Sequence, residues 1–144
     1  MTHAKMSNEQ LTKTGYRLLT EHEWECACRA GSDTGWYFGS DEQKVHNFAW
    51  SGYNSKGLLH PVGQLMPNAW GLFDIAGNVA EWCHVSEPHT DIVLRGGNFK
   101  SPATHLRSDR RYPQSATGYS FTGFRVARTV ALEAPQLHEL TTPE

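Results

Sequence analysis

Apolar positions in this chain rarely keep a sustained period, and the stretches that do keep one mark out its predicted elements. Trp24, Ala27 and Cys28 fall on one face at helical spacing. Just ahead of them, Thr20-Glu21-His22-Glu23 is a capping box. The threonine hydroxyl can accept from the Glu23 backbone N–H while the Glu23 carboxylate reaches back to the cap. Gly31 supplies a stop, so the spacing predicts a helix over about 21–30. From Gly31 to Gly71, turn-forming residues recur every few positions. Trp36-Tyr37-Phe38-Gly39 and Phe48-Ala49-Trp50 read as aromatic anchors under loops. His60-Pro61-Val62-Gly63 reads as a short extended piece, because a residue before proline avoids the helical region. Gly71–Ile75 reads as a brief strand or turn.

Strands are predicted over Val79–Cys83 and Ile92–Phe99, where Gly96-Gly97 permits a bulge or a close backbone approach. Thr122–Arg128 is expected to be one closing strand, with Phe124, Val126 and Arg128 alternating against Arg125 and Ala127. Residues 1–15 are polar and read as a leader or loop. Residues 130–144 form a tail with two prolines, a composition compatible with partial disorder.

Composition sharpens this in one respect. The 144 residues include 5 Trp, 5 Tyr, 6 Phe and 13 Gly, so the core is built from large rings between tight turns rather than from Leu-rich helices. Loops then carry the function. A formal net charge of −2 with interspersed signs argues against a general nucleic-acid or membrane-surface binder. No stretch is apolar for long enough to cross a bilayer, and Met1–Gln10 contains no apolar signal region, which sets the expectation of a cytoplasmic location without membrane insertion. Cys26, Cys28 and Cys83 are an odd set and form no disulfide framework. Residues two apart on a helix face different ways, so a zinc site drawing on Cys83 and His84 is disfavoured against free thiols.

A further pattern is carried by whole segments in order. They are Tyr16-Arg17-Leu18-Leu19-Thr20-Glu21-His22-Glu23-Trp24-Glu25, then His60-Pro61-Val62-Gly63, then Asn68-Ala69-Trp70-Gly71-Leu72-Phe73-Asp74-Ile75-Ala76-Gly77-Asn78-Val79-Ala80-Glu81-Trp82. Leu94-Arg95-Gly96-Gly97-Asn98-Phe99 and Gly123-Phe124-Arg125-Val126 follow. Together they resemble the signature of the formylglycine-generating enzyme and sulfatase-modifying factor family. The resemblance covers residues 16–129, between the leader 1–15 and the tail 130–144. It implies an α+β, loop-rich C-type-lectin-like fold, with a helix packed on a short twisted sheet. The opening strand and first helix of the family's N-terminal part have no visible counterpart before Tyr16.

The resemblance also frames the chemistry. Family members that make formylglycine hold copper(I) with a cysteine pair just after the Arg-Gly-Gly strand, soft sulfur suiting that ion. The matching positions here are Ser101 and Leu106, so no copper is expected. A second branch holds non-heme iron through histidines on an extra helical domain. Here His84 and His89 flanking Glu87 are the candidates, and a solvated loop explains them at least as well. The Gly77–Trp82 segment matches, except at Ala80, the stretch from which the family draws Asn and Glu oxygens for a structural Ca2+. That calcium at Asn78 and Glu81, with Asn47 and the Phe48 carbonyl in a second site, stands beside a plainer alternative: Asn78 supports a turn and Glu81 pairs with an arginine. Arg95 and Arg125 read as partners of buried acids such as Asp74 or Glu25, and Arg110 and Arg111 as surface residues.

Residues 101–122 lie where family enzymes place their active-site loops. Their Tyr, Ser, Gly and Arg, with a His and a Gln, make up the mixture that adaptable binding loops use. Ser101, Thr104, His105, Ser108, Asp109, Arg111, Tyr112, Gln114, Tyr119, Ser120 and Phe121 are the candidate ligand-binding residues. The region is also similar to the changing positions of variable proteins from diversity-generating retroelements, since Tyr119-Ser120-Phe121-Thr122 can all arise from an Asn codon mutated at its adenines. The expectation is a non-catalytic domain that binds a protein or small-molecule ligand. The alternatives are an oxidoreductase related to formylglycine-generating or non-heme iron sulfoxide synthase enzymes, and a structural module of a larger signalling protein, as in domains fused to kinases in some bacteria.

Overall fold

The computed structural model describes residues 15–85, 91–113 and 121–129. Its elements in order are β1 (Gly15–Leu18), α1 (Glu21–Arg29), a 3-10 turn (Glu42–Lys44), the short α2 (Val45–Phe48), β2 (Ala80–His84), β3 (Ile92–Arg95), a 3-10 turn (Ala103–Leu106), β4 (Arg111–Pro113), β5 (Thr122–Phe124) and β6 (Val126–Thr129). The leader up to residue 14 and the tail from residue 130 lie outside the described residues, while Gly15 already belongs to β1.

The capping box forms as its residues dictate. Thr20 Oγ1 accepts from the Glu23 N–H at 3.2 Å, and Glu23 Oε2 accepts from the Thr20 N–H at 2.8 Å. The helix then buries Trp24 and Cys28. It ends one residue earlier than glycine placement suggests: Ala30, not Gly31, takes the left-handed cap with φ 46 and donates its N–H to the Cys26 carbonyl. Gly31 follows at φ +92.

Two sheets share the work. The larger has the order β4-β3-β2-β5, with β2 antiparallel to β3 (Glu81 opposite Arg95) and parallel to β5 (Ala80 opposite Thr122). The smaller pairs β1 with β6, Tyr16 opposite Arg128 and Leu18 opposite Val126. Helix α1 and both sheets close on a core of Leu19, Trp24, Cys28, Ile75, Cys83, Val85 and Val93. A second core under the loops holds Trp36, Val45, Ala49, Ala76, Ala103 and Leu106. The anchoring rings behave as expected: Phe38 stacks on Phe48 at 4.7 Å and Trp50 on His60 at 3.6 Å.

The terminal segment departs from its expected pattern. Thr122–Arg128 is not one strand but two, each in a different sheet, joined at Arg125. The expected alternation holds: Phe124 and Val126 are 68% and 51% exposed while Arg125 turns inward to Glu81. The buried Glu81 carboxylate takes Arg125 as its counter-charge, and strand alternation then turns Phe124 and Val126 to the other side. The predicted strand Ile92–Phe99 stops at Arg95 for a different reason. Gly96 has φ +85, and a Cβ there would sit 2.9 Å from the Ile75 carbonyl, so the chain must leave the sheet. His60–Gly63 and Gly71–Ile75 form no strand, whereas β1 and β4 arise where no periodicity announced them.

Candidate functional site

The region following β3 begins with a turn that closes on itself. Ser101 Oγ accepts from the Asn98 N–H at 3.0 Å, and the Ser101 N–H donates to the Asn98 carbonyl at 2.9 Å. Leu106 is fully buried and packs in the second core. Ser101 and Leu106 are therefore interior pegs of the turn, not groups turned toward a substrate.

The cysteines belong to other elements, Cys26 and Cys28 to α1 and Cys83 to β2. Cys28 Sγ donates to Ser108 Oγ at 3.4 Å inside the core, and burial pushes its thiol up to about 12. Burial, reinforced by the Glu81 charge, does the same to Cys83, also to about 12. Both thiols are buried and protonated near neutral pH, so neither is presented as a nucleophile. Cys26 is exposed on α1. The donor set does not fit copper(I).

The other candidate residues divide into frame and surface. Ser108 is buried, donating its N–H to the Gly35 carbonyl at 2.8 Å and giving its own carbonyl to Arg95 at 3.0 Å. Tyr112 is buried against Ala80 and Leu94. These two and Ser101, expected from sequence among the ligand-binding residues, have their side chains turned into the frame of the fold. Asp109 pairs with Arg107 at 2.7 Å and Arg111 with Glu21 at 2.8 Å, both near solvent. Thr104 is exposed and His105 half-buried, its imidazole held below the usual range by burial and by neighbouring Arg110. Phe121 packs edge-on to Phe99 at 4.7 Å, and the exposed Lys100 amine lies 4.7 Å above the Phe121 ring. Lys100 was missed from sequence; its place directly after the paired glycines and Phe99 is the only hint. Gln114, Tyr119 and Ser120 lie outside the described residues, as do Glu87 and His89.

The oxygens of the calcium candidates are already engaged. Asn78 sits at φ 58, accepts from the His60 N–H at 3.1 Å and donates to the His60 carbonyl at 3.0 Å. Glu81 accepts from Trp24 Nε1 at 2.7 Å and from Arg125 Nη2 at 2.9 Å and Nε at 3.2 Å. Burial pushes the Glu81 carboxyl above its ordinary range while Arg125 pulls it back. Asn47 is exposed, and the Phe48 carbonyl accepts from the Tyr37 hydroxyl at 3.0 Å. A cation that needs six or more converging oxygens does not fit side chains turned to these partners. Among the described residues no group of three or more His, Cys, Asp or Glu is arranged to hold a metal.

The arginine pairs are structural in kind. Arg95, 3% exposed, meets Glu25 at 2.5 Å, and Glu25 also meets Arg29 at 2.8 Å. Arg125 pairs with Glu81 rather than Asp74, whose carboxylate instead accepts from the Gly63 N–H at 2.7 Å. Over this Glu81–Arg125 floor lies an open groove of about 530 Å³ walled by Val62, Leu72, Phe73, Val79 and Phe124. Among the described residues no helix is long and apolar enough to cross a membrane.

The sulfatase-modifying factor enzyme 1-like domain matches residues 1–130. The formylglycine-generating enzyme of Thermomonospora curvata is 33% identical over 81% of this chain and 50% of its own length. The inactive Cα-formylglycine-generating enzyme 2 of Bos taurus is 38% identical over 59% of this chain and 33% of its own. Among solved structures, Treponema denticola variable protein 1 superposes with a TM-score of 0.72 at 38% identity, covering 81% of this chain and 49% of that one. The chain thus spans about half the length, or less, of these relatives. Their shared fold is the α+β, loop-rich C-type-lectin-like architecture described above.

Proposed function

We propose, for a chain that belongs to the sulfatase-modifying factor enzyme 1-like family, the role of a non-catalytic domain that recognises a protein or small-molecule ligand through residues 101–122. One observation carries this reading. The positions at which the family's copper-binding cysteines would stand hold Ser101, tied to Asn98, and Leu106, sealed in the core. Two-electron oxidation of a thiol by oxygen needs an activating centre, and neither a hydroxyl locked in a turn nor a leucine can build one. A relative named as an inactive formylglycine-generating enzyme at 38% identity, and a structural neighbour named as a variable protein, support the same direction.

What remains around those pegs is suited to recognition. Lys100, Thr104, Asp109 and Arg111 are exposed and Phe121 is partly so, on a frame held by buried residues. Rings and short polar groups displayed on rigid backbone give contact area at low entropic cost. The test has two arms. Incubation with copper(I), oxygen and a cysteine-containing peptide, read by mass spectrometry, is expected to give no aldehyde beyond a protein-free control; an aldehyde product above that control overturns the non-catalytic reading. Peptides selected from a displayed library against the chain are expected to lose binding to Thr104→Glu at unchanged Tm, and to Phe121→Ala in protein that circular dichroism shows folded at the assay temperature. Selected peptides indifferent to both substitutions overturn the placement of the surface.

A further inference from the structure

The small sheet has one face turned inward and one turned to water. Arg17 and Ala127 belong to the inner side: Arg17 forks onto Glu23 at 2.6 and 2.7 Å, and Ala127 packs on the main core. With side chains alternating, Tyr16 and Leu18 on β1 share the opposite face with Val126 and Arg128 on β6. Tyr16 is 75% exposed, and the row continues through Val126 to Phe124 at the rim of the groove. These three side chains alone expose on the order of 400 Å² of largely apolar surface, as much as the largest patch on a typical monomer.

Among the described residues the edge beside this face is also unpaired. Among the described residues β6 pairs only with β1, so its outer edge presents backbone donors and acceptors that a further strand can take. Edges that must stay unpaired usually carry lysine, proline or a bulge. β6 carries Arg128 alone, and that guanidinium is laid over the Tyr16 ring at 6.0 Å. A two-stranded sheet is marginal by itself and gains from extension.

We propose that this edge and face are where a second copy of the chain docks, β6 against β6 about a two-fold axis. Antiparallel pairing of an edge with itself is self-complementary, as a closed two-fold interface requires. Centred on Ala127, it sets Val126 opposite Arg128 of the second copy, so the two arginines stay apart, and a formal charge of −2 per chain adds little repulsion. Phe124, Val62 and Phe73 extend the contact toward the roughly 800 Å² per partner of a standard interface.

Sedimentation and light scattering of the chain are expected to give twice the 16.2 kDa of one copy. Val126→Glu and Tyr16→Glu are each expected to return it to one copy with unchanged circular dichroism, while Thr104→Glu, on the recognition surface, leaves the dimer intact. In a Cys26→Ser background, Val126→Cys combined with Arg128→Cys is expected to form intermolecular disulfides on oxidation, because cross-strand neighbours fall within bridging range. A wild-type mass of 16.2 kDa at every concentration overturns the proposal, whether the edge is bare or covered by the chain's own terminal segments. A dimer that survives both glutamate substitutions, or is broken by Thr104→Glu, overturns it as well.

Discussion

Replacing Arg125 by Met strips Glu81 of the one charged hydrogen-bond partner it has among the described residues and leaves the carboxylate, 5% exposed, with Trp24 Nε1 as its remaining partner there. Breaking a buried pair from one side costs about 3–5 kcal/mol, and because the Arg125 side chain is 26% exposed, the lower figure, about 3 kcal/mol, applies here. For a chain of this size that lowers Tm by about 10 °C. The deficit should depend on pH with a defined sign. Burial already raises the Glu81 carboxyl in the fold, and losing Arg125 raises it further. A group raised in this way contributes stability that is fully present below its unfolded value and is lost as pH rises through the folded one. The gap between wild type and Arg125→Met should therefore be widest at neutral pH and shrink in acid to about 1 kcal/mol, the residue of the lost contact to the Phe73 carbonyl. Urea unfolding followed by tryptophan fluorescence at neutral and acid pH measures both values. A gap that is equal at the two pH values would show that the cost is packing and not charge.

Gly77→Ala should cost at least about 3 kcal/mol, since φ is +79 and a Cβ would meet the Trp50 carbonyl at 2.3 Å; urea midpoints of the two proteins test this. Thiol titration of the native protein should modify Cys26 alone, with Cys28 and Cys83 reacting only on unfolding, because their thiols are buried and pushed up to about 12. Glu23, drawn down to about 2 by Arg17, contributes stability that is present above the ordinary carboxylate value and is lost as pH falls through about 2. Arg17→Met should flatten that acid limb by no more than about 1 kcal/mol, since the Glu23 side chain is 42% exposed. Calcium and a chelator should leave Tm equal, because the Asn78 and Glu81 oxygens already hold His60, Trp24 and Arg125; a calcium-dependent rise would refute that account.

What the sequence made legible was local chemistry. Thr20 and Glu23 form their capping box wherever the helix ends up, and Gly96-Gly97 had to interrupt a strand because no side chain fits against Ile75. That Arg95 would take a carboxylate partner was readable from the need to neutralise a buried charge, while the choice of Glu25 over Asp74 was not. What was not legible depends on residues far apart in the chain. The short strands β1 and β4 have no period of their own and exist because β6 and β3 offer partners. The alternation along Thr122–Arg128 was readable, but which side faces in was not, because the acid at Glu81 decides it. Among the binding candidates, Ser101, Ser108 and Tyr112 are polar residues whose hydrogen bonds are internal, and composition alone cannot separate a polar group facing water from one holding a turn.

The segment after β3 is pinned at intervals, at Ser101, Ala103, Leu106, Ser108 and Tyr112, with exposed positions at Thr104 and Asp109 between the pins. Such a stretch separates inheritance of shape from freedom of content. Every second or third residue can change identity without moving the backbone that presents it. Repertoires of many different surfaces can thus be drawn from one scaffold, each new variant folding for the same reasons as the last.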